Sequence, residues 1–393
     1  MSSSFTSLVF TTPLRNREWN KNERLALQNA VRIALPTHRA SACLRHRLGS
    51  SPVTVTATKD GKTRLGGLMI CDAHHVCPVC HHNKMARDKR TVAEVVAAHY
   101  AQGGFMVDAV FTVPHYFGEP LVVVLERLNN TWRALRSKSI WKNLSNDLGI
   151  VGCIRRLEVT FSANGWHPHF HVSFLCDWAV TKEIKGRNRL SVLDDAYALV
   201  AGRWSEAGKK AGIKVCMAAQ SAVALVSAVD AAKAVAYSVK NMGFSEKQDS
   251  LTPIDLLRII AQVSDPAVIA AAKRHFSEYA TDIKGKHVLS FYGTARAAKT
   301  AIEDGATTPP APGERLGAIS PDGWRAVVLS HQREAVAQVK EREALTTAIM
   351  LAALYAGYSS IPPGWLTLTG ETKTVVGVKG ACPPKINFTS GLA

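Results

Sequence analysis

The sequence is poor in acidic residues and has no long hydrophobic run, and both absences restrict what it can be. Asp and Glu total 31 against 48 Lys and Arg, which leaves a formal net charge of +17. The most apolar stretch, residues 345–358, is too short to span a bilayer. Residues 1–14 lack the basic start and sustained apolar core of a signal peptide. We therefore expect a cytoplasmic protein that contacts no membrane and binds a polyanion, with nucleic acid the first candidate.

Internal repeats are also lacking, and 393 residues suffice for two or three domains. We predict a basic arm over residues 1–40 and a zinc-binding region over 41–100. An α+β domain follows over 101–304, where strand, helix, hairpin and helix patterns succeed one another; this order indicates a largely antiparallel central sheet flanked by helices. A proline-rich linker over 305–313 leads to a C-terminal helical region of unknown role over 314–393.

The most informative motif is His167-Pro-His-Phe-His171, in which a histidine recurs at every second residue. Alternate side chains of a strand share a face, so the three imidazoles can point into one site. The preceding Asn164-Gly165 is typical of a two-residue hairpin turn, and with that turn Glu158 faces His171. Two histidines and a carboxylate then converge in a set that suits Mg²⁺, Mn²⁺ or Zn²⁺. The alternative is a half-buried strand with incidental histidines.

Cysteines cluster upstream of this motif. Cys77 and Cys80 form a CxxC pair, Cys71 lies shortly before it, and Cys43 lies farther upstream. Thiols stay reduced in the cytoplasm, and four of them suit a closed structural Zn²⁺ site. A redox disulfide is the alternative, and several histidines could substitute for a cysteine: His46, His74, His75, His81 and His82. Four basic residues beside the cluster would present a nucleic-acid-binding surface: Lys84, Arg87, Lys89 and Arg90.

Residues 229–242 have a two-sided helical pattern. The apolar stripe consists of Ala232, Val235, Ala236, Val239 and Met242, and the opposite face carries Asp230, Lys233, Tyr237, Lys240 and Asn241. Tyr237 lies between two lysines, whose ammonium groups favour the phenolate and attract a phosphate. A tyrosine in such a place is usually a packing or surface residue. Downstream of a metal-binding histidine pair, it becomes a candidate nucleophile for phosphodiester cleavage.

Taken in this order, the blocks resemble the rolling-circle replication initiator (Rep) proteins of plasmids, in the HUH endonuclease superfamily. The resemblance covers roughly residues 40–300 and includes the cysteine cluster, Phe111–His115, Leu128–Trp132, the histidine motif and the YxxK sequence Tyr237–Lys240. It implies an HUH endonuclease-like catalytic domain over 101–304. In that domain His169, His171 and Glu158 would hold a catalytic Mg²⁺ or Mn²⁺.

The resemblance also implies the chemistry and the partners. Tyr237 would attack a phosphate of single-stranded origin DNA, leaving a 5′-phosphotyrosine and a 3′-OH that primes synthesis. Lys240 would neutralise the phosphate or lower the phenol pKa, and host helicase and polymerase would be further partners. Many relatives have a glutamate where this chain has Lys233, a residue we assign to nucleic-acid binding, so Asp230 becomes the candidate for activating water in termination.

Three other interpretations compete with this one. A relaxase or a transposase of the HUH type shares the tyrosine chemistry. A histidine-triad nucleotide hydrolase fits the alternating histidines but needs neither a basic zinc region nor a tyrosine helix. A zinc-containing DNA-binding regulator without catalysis explains the charge and the cysteines and leaves the histidine hairpin unused. A covalent protein–DNA adduct is expected only for the HUH proteins.

Overall fold

The computed structural model describes residues 23–58, 63–180, 193–240, 250–305 and 313–369, and over 235–240 it describes the backbone alone. The chain divides into two compact units. The larger unit comprises Met1–Cys43 and Cys71–Pro309, and the smaller unit comprises Leu44–Ile70 and Pro310–Ala393.

The secondary structure of the described residues mixes helices with antiparallel strands. The strands are β1 (Val53–Ala57), β2 (Thr63–Gly66), β3 (Phe105–Phe111), β4 (Ile150–Ser162), β5 (Gly165–Cys176), β6 (Ser221–Leu225), β7 (Ser250–Leu251), β8 (Leu289–Gly293), β9 (Glu314–Ile319) and β10 (Leu366–Leu368). The helices are α1 (Glu23–Ala34), α2 (Pro78–Ala101), α3 (Leu121–Leu135), α4 (Lys138–Leu148), α5 (Ala196–Lys210), α6 (Ala228–Lys240), α7 (Pro253–Gln262), α8 (Pro266–Asp282), α9 (Thr294–Gly305), α10 (Pro321–Leu329), α11 (Arg333–Val336) and α12 (Arg342–Tyr355). Within the described part of the chain, no helix has both the length and the apolarity to cross a bilayer.

A six-stranded sheet forms the centre of the larger unit. Its strands lie in the order β6-β3-β5-β4-β7, and β8 also pairs with β4. All pairings described in this sheet are antiparallel. The predicted α+β class with an antiparallel sheet is therefore confirmed.

Helix α3 shows how the sequence pattern places a helix on this sheet. Five of its apolar residues recur at helical spacing and are buried: Leu121, Val124, Leu125, Leu128 and Trp132. Trp132 contacts Phe111 of β3 and Phe170 of β5, with ring centroids 6.3 and 5.7 Å apart. Burying each such side chain contributes about 1.5–3 kcal/mol. The aromatic cluster thus fixes α3 against one face of the β4–β5 hairpin.

The register of that hairpin corrects one expectation. Ser162 pairs with Gly165 and Glu158 pairs with His169, so the turn residues are Ala163 and Asn164 rather than Asn164 and Gly165. Gly165 adopts the left-handed conformation with φ +89°, as in hairpins where a glycine follows a type I turn. Glu158 therefore does not face His171 directly. The shift is two residues, which preserves the face of every side chain.

The smaller unit combines segments that are distant in sequence. Its sheet has the order β10-β9-β1-β2, and β1 pairs antiparallel with β9. Helices α10 and α12 supply Trp324 and Ile349 to its hydrophobic core. This division differs from the boundaries predicted from sequence, since residues 44–70 were assigned to the zinc-binding region. The C-terminal region predicted as helical also contains strands β9 and β10.

Candidate metal centres

The first candidate centre lies on the β4–β5 hairpin. Glu158 pairs directly with His169, and Arg156 pairs with His171. Directly paired residues, and residues two positions apart on one strand, project from the same face of a sheet. The carboxylate and the two imidazoles therefore share one face because of strand alternation and register alone.

The ligand atoms of this group converge on one point. Nε2 of His171 lies 2.9 Å from Oε2 of Glu158, and Nε2 of His169 lies 3.3 Å from the same oxygen. The two Nε2 atoms are 3.2 Å apart, and the side chains remain 12–14% exposed. Two imidazole nitrogens and a carboxylate oxygen are suitable donors for a divalent cation. The group could hold a metal ion, and three protein ligands leave coordination positions open toward solvent.

The electrostatics of the group suit ligation. Burial alone would raise the pKa of Glu158, but hydrogen bonds from His169 and His171 outweigh it and hold that pKa well below its usual range. Burial lowers the pKa of His171, and its hydrogen bond with Glu158 opposes this only in part. An ionised carboxylate and a neutral imidazole are the protonation states that a metal ligand requires.

Sequence analysis missed the polar residues beside this group. Arg156 is 6% exposed, and burial lowers its pKa to about 10 while Asp108 and Glu158 oppose the shift. Asp108 of β3 accepts a hydrogen bond of 2.7 Å from Ser173, which is its partner on β5. Strand parity could have placed Arg156 on the face of Glu158. The place of Asp108 depends on how β3 pairs with β5, which no local pattern specifies.

The third histidine of the motif has a different environment. His167 stacks on His115 with ring centroids 4.6 Å apart and planes inclined by 11°. Its ring lies 4.9 Å from that of His169, centroid to centroid. His167 does not belong to the metal-binding group found among the described residues. It extends the row of imidazoles toward the segment that follows β3.

Helix α6, which contains Tyr237, packs on the same face of the sheet as this group. Ala231 is fully buried in a hydrophobic cluster that includes Met106 and Leu175. Leu175 lies an even number of residues from His171 on β5, so both project from one face. Tyr237 and Lys240 lie on the last turns of α6, and their side chains fall outside what the structure describes.

The described part of α6 corrects the predicted apolar stripe. Ala232, assigned to the stripe, is exposed, whereas Ala231 is buried. Neighbouring alanines are equally apolar, so composition could not distinguish the two orientations. Lys233 is 73% exposed at its side chain, and its Nζ lies 3.3 Å from Oδ1 of Asp230. A surface pair of this kind contributes little to stability, so Lys233 can exchange its partner for a phosphate.

The second candidate centre consists of four cysteines of the larger unit. Cys43, Cys71, Cys77 and Cys80 are 0–5% exposed, and none of them forms a disulfide. Sγ of Cys80 lies 3.7 Å from Sγ of Cys43 and 3.6 Å from that of Cys71. All four sulfur atoms lie within 4.8 Å of one another. This buried cluster could bind zinc through four thiolates.

Local structure explains how two of these thiols come together. Cys77 is the N-cap residue of α2, and Pro78 occupies the first helical position, where a missing N–H costs nothing. Cys80 follows in the first turn, where the helix dipole favours a thiolate. Hydrogen bonds from the other thiols lower the pKa of Cys80 and raise that of Cys77. The nearby His81 contacts the carbonyl oxygen of His74 at 2.9 Å and is not a member of the cysteine group.

The predicted basic surface follows on the same helix. Arg87, Lys89 and Arg90 are exposed on α2, about three to four turns after Cys77. Lys84 is half-buried and forms an ion pair with Asp88. Arg87, Arg90 and Lys84 line an open cavity of about 800 Å³, which is also lined by four acidic residues: Asp72, Asp88, Glu94 and Glu303. Three of the four predicted residues are thus available to a polyanion.

Comparison with known proteins gives two relatives of low similarity. A neomycin resistance protein of Streptomyces cyanogenus is 27% identical over 171 residues, which cover 36% of this chain and 39% of the relative. A protein named "Protein rep" of Streptomyces lividans is 27% identical over 153 residues, which cover 32% of this chain and 34% of the relative. The chain thus spans little more than a third of the length of either relative. No family model and no solved structure matches it.

Proposed function

We propose that this protein initiates rolling-circle replication of a plasmid by nicking single-stranded origin DNA through Tyr237. The observation that carries the proposal is the convergence of Glu158, His169 and His171 on the sheet face against which helix α6 packs. The similarity to a Streptomyces protein named for replication favours an initiator over a relaxase or a transposase. The excess of basic residues suits a nucleic-acid substrate.

The chain's own residues have separate tasks in this proposal. A bound Mg²⁺ or Mn²⁺ would supply Lewis-acid polarisation of the scissile phosphate. Glu158, His169 and His171 would hold that cation, and Arg156 adds a buried positive charge beside them. Ala231 of α6 lies against the sheet. Tyr237 follows six residues later on the same helix, which places its backbone about 9 Å from that of Ala231 along the helix axis.

The reaction is a transesterification. The oxygen of Tyr237 forms a bond to phosphorus, and the bond between phosphorus and the 3′ oxygen breaks. The phenol proton is released to solvent, and the leaving 3′ oxygen takes up a proton, so a 5′-phosphotyrosine and a free 3′-OH result. Lys240 would stabilise the phenolate or the phosphate, and Lys233 with the basic residues of α2 would bind the DNA backbone.

The cysteine cluster has a structural task in this proposal. Four buried thiolates leave no open position for substrate, so zinc there would stabilise the start of α2 and the basic surface that follows it. After nicking, a host polymerase would extend the free 3′-OH, and a host helicase would unwind the duplex.

Incubation with a single-stranded oligonucleotide and Mn²⁺ tests the proposal. We expect a covalent adduct on Tyr237 that mass spectrometry can locate. Tyr237→Phe should bind the oligonucleotide and form no adduct, while the control Tyr197→Phe, which alters an exposed tyrosine of α5, should react normally. An adduct on another tyrosine would contradict the choice of nucleophile. Absence of any adduct in the unaltered protein would leave the non-catalytic zinc-containing regulator as the better interpretation.

A further inference from the structure

A basic cavity lined by aromatic rings opens on the other face of the central sheet. Leu157 and Phe170 line it and are paired residues of β4 and β5. Each is one position away from a member of the Glu158, His169 and His171 group, and adjacent residues of a strand project to opposite faces. The cavity is therefore separate from the candidate metal centre.

The charge of this cavity is strongly one-sided. Four lining side chains are positive, and Glu126 alone is negative; the positive ones are Arg133, Arg136, Arg155 and Lys286. Its volume of about 790 Å³ lies in the range typical of small-molecule sites. The lining indicates a ligand that is anionic and small enough to enter a pocket.

Two of the arginines are stacked on aromatic rings. Cζ of Arg155 lies 4.5 Å from the ring centroid of Phe170, and Cζ of Arg136 lies 4.2 Å from that of Tyr292. A cation–π contact of this kind holds a guanidinium close to the ring, and guanidinium groups are well suited to bind phosphate.

Hydrogen bonds fix the position of Arg155 in the cavity. Arg155 is 8% exposed, and its Nη2 donates to Oγ of Ser290 over 3.2 Å, but its Nε is buried without a hydrogen-bond partner in the structure. Nη2 also donates to the carbonyl oxygen of His287 over 3.4 Å, so these contacts hold the guanidinium at the wall of the cavity. Trp132 and Tyr292 supply aromatic surfaces at the same place.

We propose that this cavity binds a nucleotide. The base would stack on the aromatic and guanidinium surfaces, and Arg136 and Lys286 would bind the phosphate. The same chemistry is offered by one nucleotide of a single DNA strand and by a free nucleoside phosphate. The proposal does not depend on the nicking activity, since none of the lining residues belongs to the metal centre or to α6.

Binding is measured with the full chain carrying Tyr237→Phe, in EDTA, so that nicking cannot contribute. The probes are a fluorescein-labelled single-stranded oligonucleotide, followed by anisotropy, and dAMP, followed by calorimetry. We expect Arg136→Glu combined with Lys286→Glu to weaken binding about tenfold or more. Tyr292→Leu should weaken it about fivefold or more, and Tyr292→Phe, which keeps the ring, should restore it. The matched control Lys142→Glu reverses an exposed charge on α4 that does not line the cavity.

The two sources of the nucleotide give different results. Displacement of the oligonucleotide by dAMP supports a site for free nucleotides. Oligonucleotide binding that dAMP does not compete with, but that the cavity variants weaken, supports a site within a bound strand. Equal affinity of the folded variants and the control for both probes overturns the proposal. Competition by inorganic phosphate as strong as that by dAMP also overturns it, because no base would then be recognised.

Discussion

The two candidate metal centres of the larger unit differ in how their ligands are assembled and in how far solvent reaches them. Glu158, His169 and His171 come from one hairpin and remain 12–14% exposed. The four cysteines come from three separate segments and are 0–5% exposed. A closed set of four thiols is typical of structural zinc, whereas three nitrogen and oxygen donors leave room for a substrate. We therefore expect the cysteine centre to stabilise the fold and, under the proposed function, the hairpin centre to perform the chemistry.

The contrast predicts that disrupting the cysteine cluster has the largest effect on folding. Cys77→Ser combined with Cys80→Ser should abolish binding of about one zinc per chain and lower the free energy of unfolding by about 3 kcal/mol or more, because binding a structural metal contributes to folding. Helix α1 should also be destabilised, because Gln28 of this helix is fully buried and its amide donates to the carbonyl oxygen of Cys43. Elemental analysis and thermal unfolding measure both effects.

The matched control for this experiment is Cys216→Ser. Cys216 is exposed and lies outside the cysteine cluster. The Cys216→Ser variant should have the same zinc content and the same unfolding midpoint as the unaltered protein. Zinc content that is unchanged in the Cys77 and Cys80 double variant would show that these thiols are not ligands.

The opposite pattern is expected at the hairpin. His169→Ala or His171→Ala should reduce nicking at least about a hundredfold, because the cation that stabilises the developing charge is lost. The free energy of unfolding should change by less than in the cysteine double variant, because each histidine variant leaves the hydrophobic core of the sheet intact. DNA binding in EDTA should be retained, because phosphate contacts involve other residues.

His331→Ala is the control for the histidine variants, since His331 is exposed and lies in the smaller unit. Nicking by this variant should be unaffected. Nicking by His169→Ala at the normal rate would show that the hairpin group does not hold the catalytic cation.

The membership of both centres was predictable from the sequence, but the exact strand pairing at the hairpin was not. Alternation along a strand places His169, His171 and Glu158 on one face for any register of the same parity, so their common face was predictable. The pairing itself was predicted wrongly, because Asn164-Gly165 fits one hairpin turn as well as the turn that ends at Gly165. The prediction of the cysteine group needed only the CxxC spacing and two further thiols.

The smaller unit could not be predicted in the same way. Val53 pairs with Ile319, and the segments that carry them are separated by most of the chain. Neither segment has a local signal for the other, since strand pairing at long range depends on burying a shared core. The same limit applies to the cavity with Arg155, whose lining comes from α3 and the residue after it, from β4 and β5, and from β8 and the segment before it.

A subtler change can test the role of the carboxylate at the hairpin. Glu158→Gln keeps the size of the side chain and removes its charge. The Mn²⁺ concentration needed for half-maximal nicking should rise about tenfold to a hundredfold, while the rate at saturating metal changes less. Glu343→Gln, the same change at an exposed glutamate of α12, provides the control. An unchanged Mn²⁺ requirement for Glu158→Gln would mean that two histidines suffice.

The smallest expected effect on nicking concerns the turn that sets the register of the hairpin. Gly165 and Gly118 both have positive φ, +89° and +81°. A Cβ at Gly165 would lie 2.9 Å from the carbonyl oxygen of Tyr116, whereas one at Gly118 would meet nothing within 4 Å. Gly118→Ala should therefore cost about 1 kcal/mol from backbone strain alone, and Gly165→Ala about 1–2 kcal/mol more. Thermal unfolding measures the difference between them. Since Gly165 also begins the strand that presents His169, its alanine variant should slow nicking while Gly118→Ala does not; equal effects of the two would show that the contact with Tyr116 does not hold the turn.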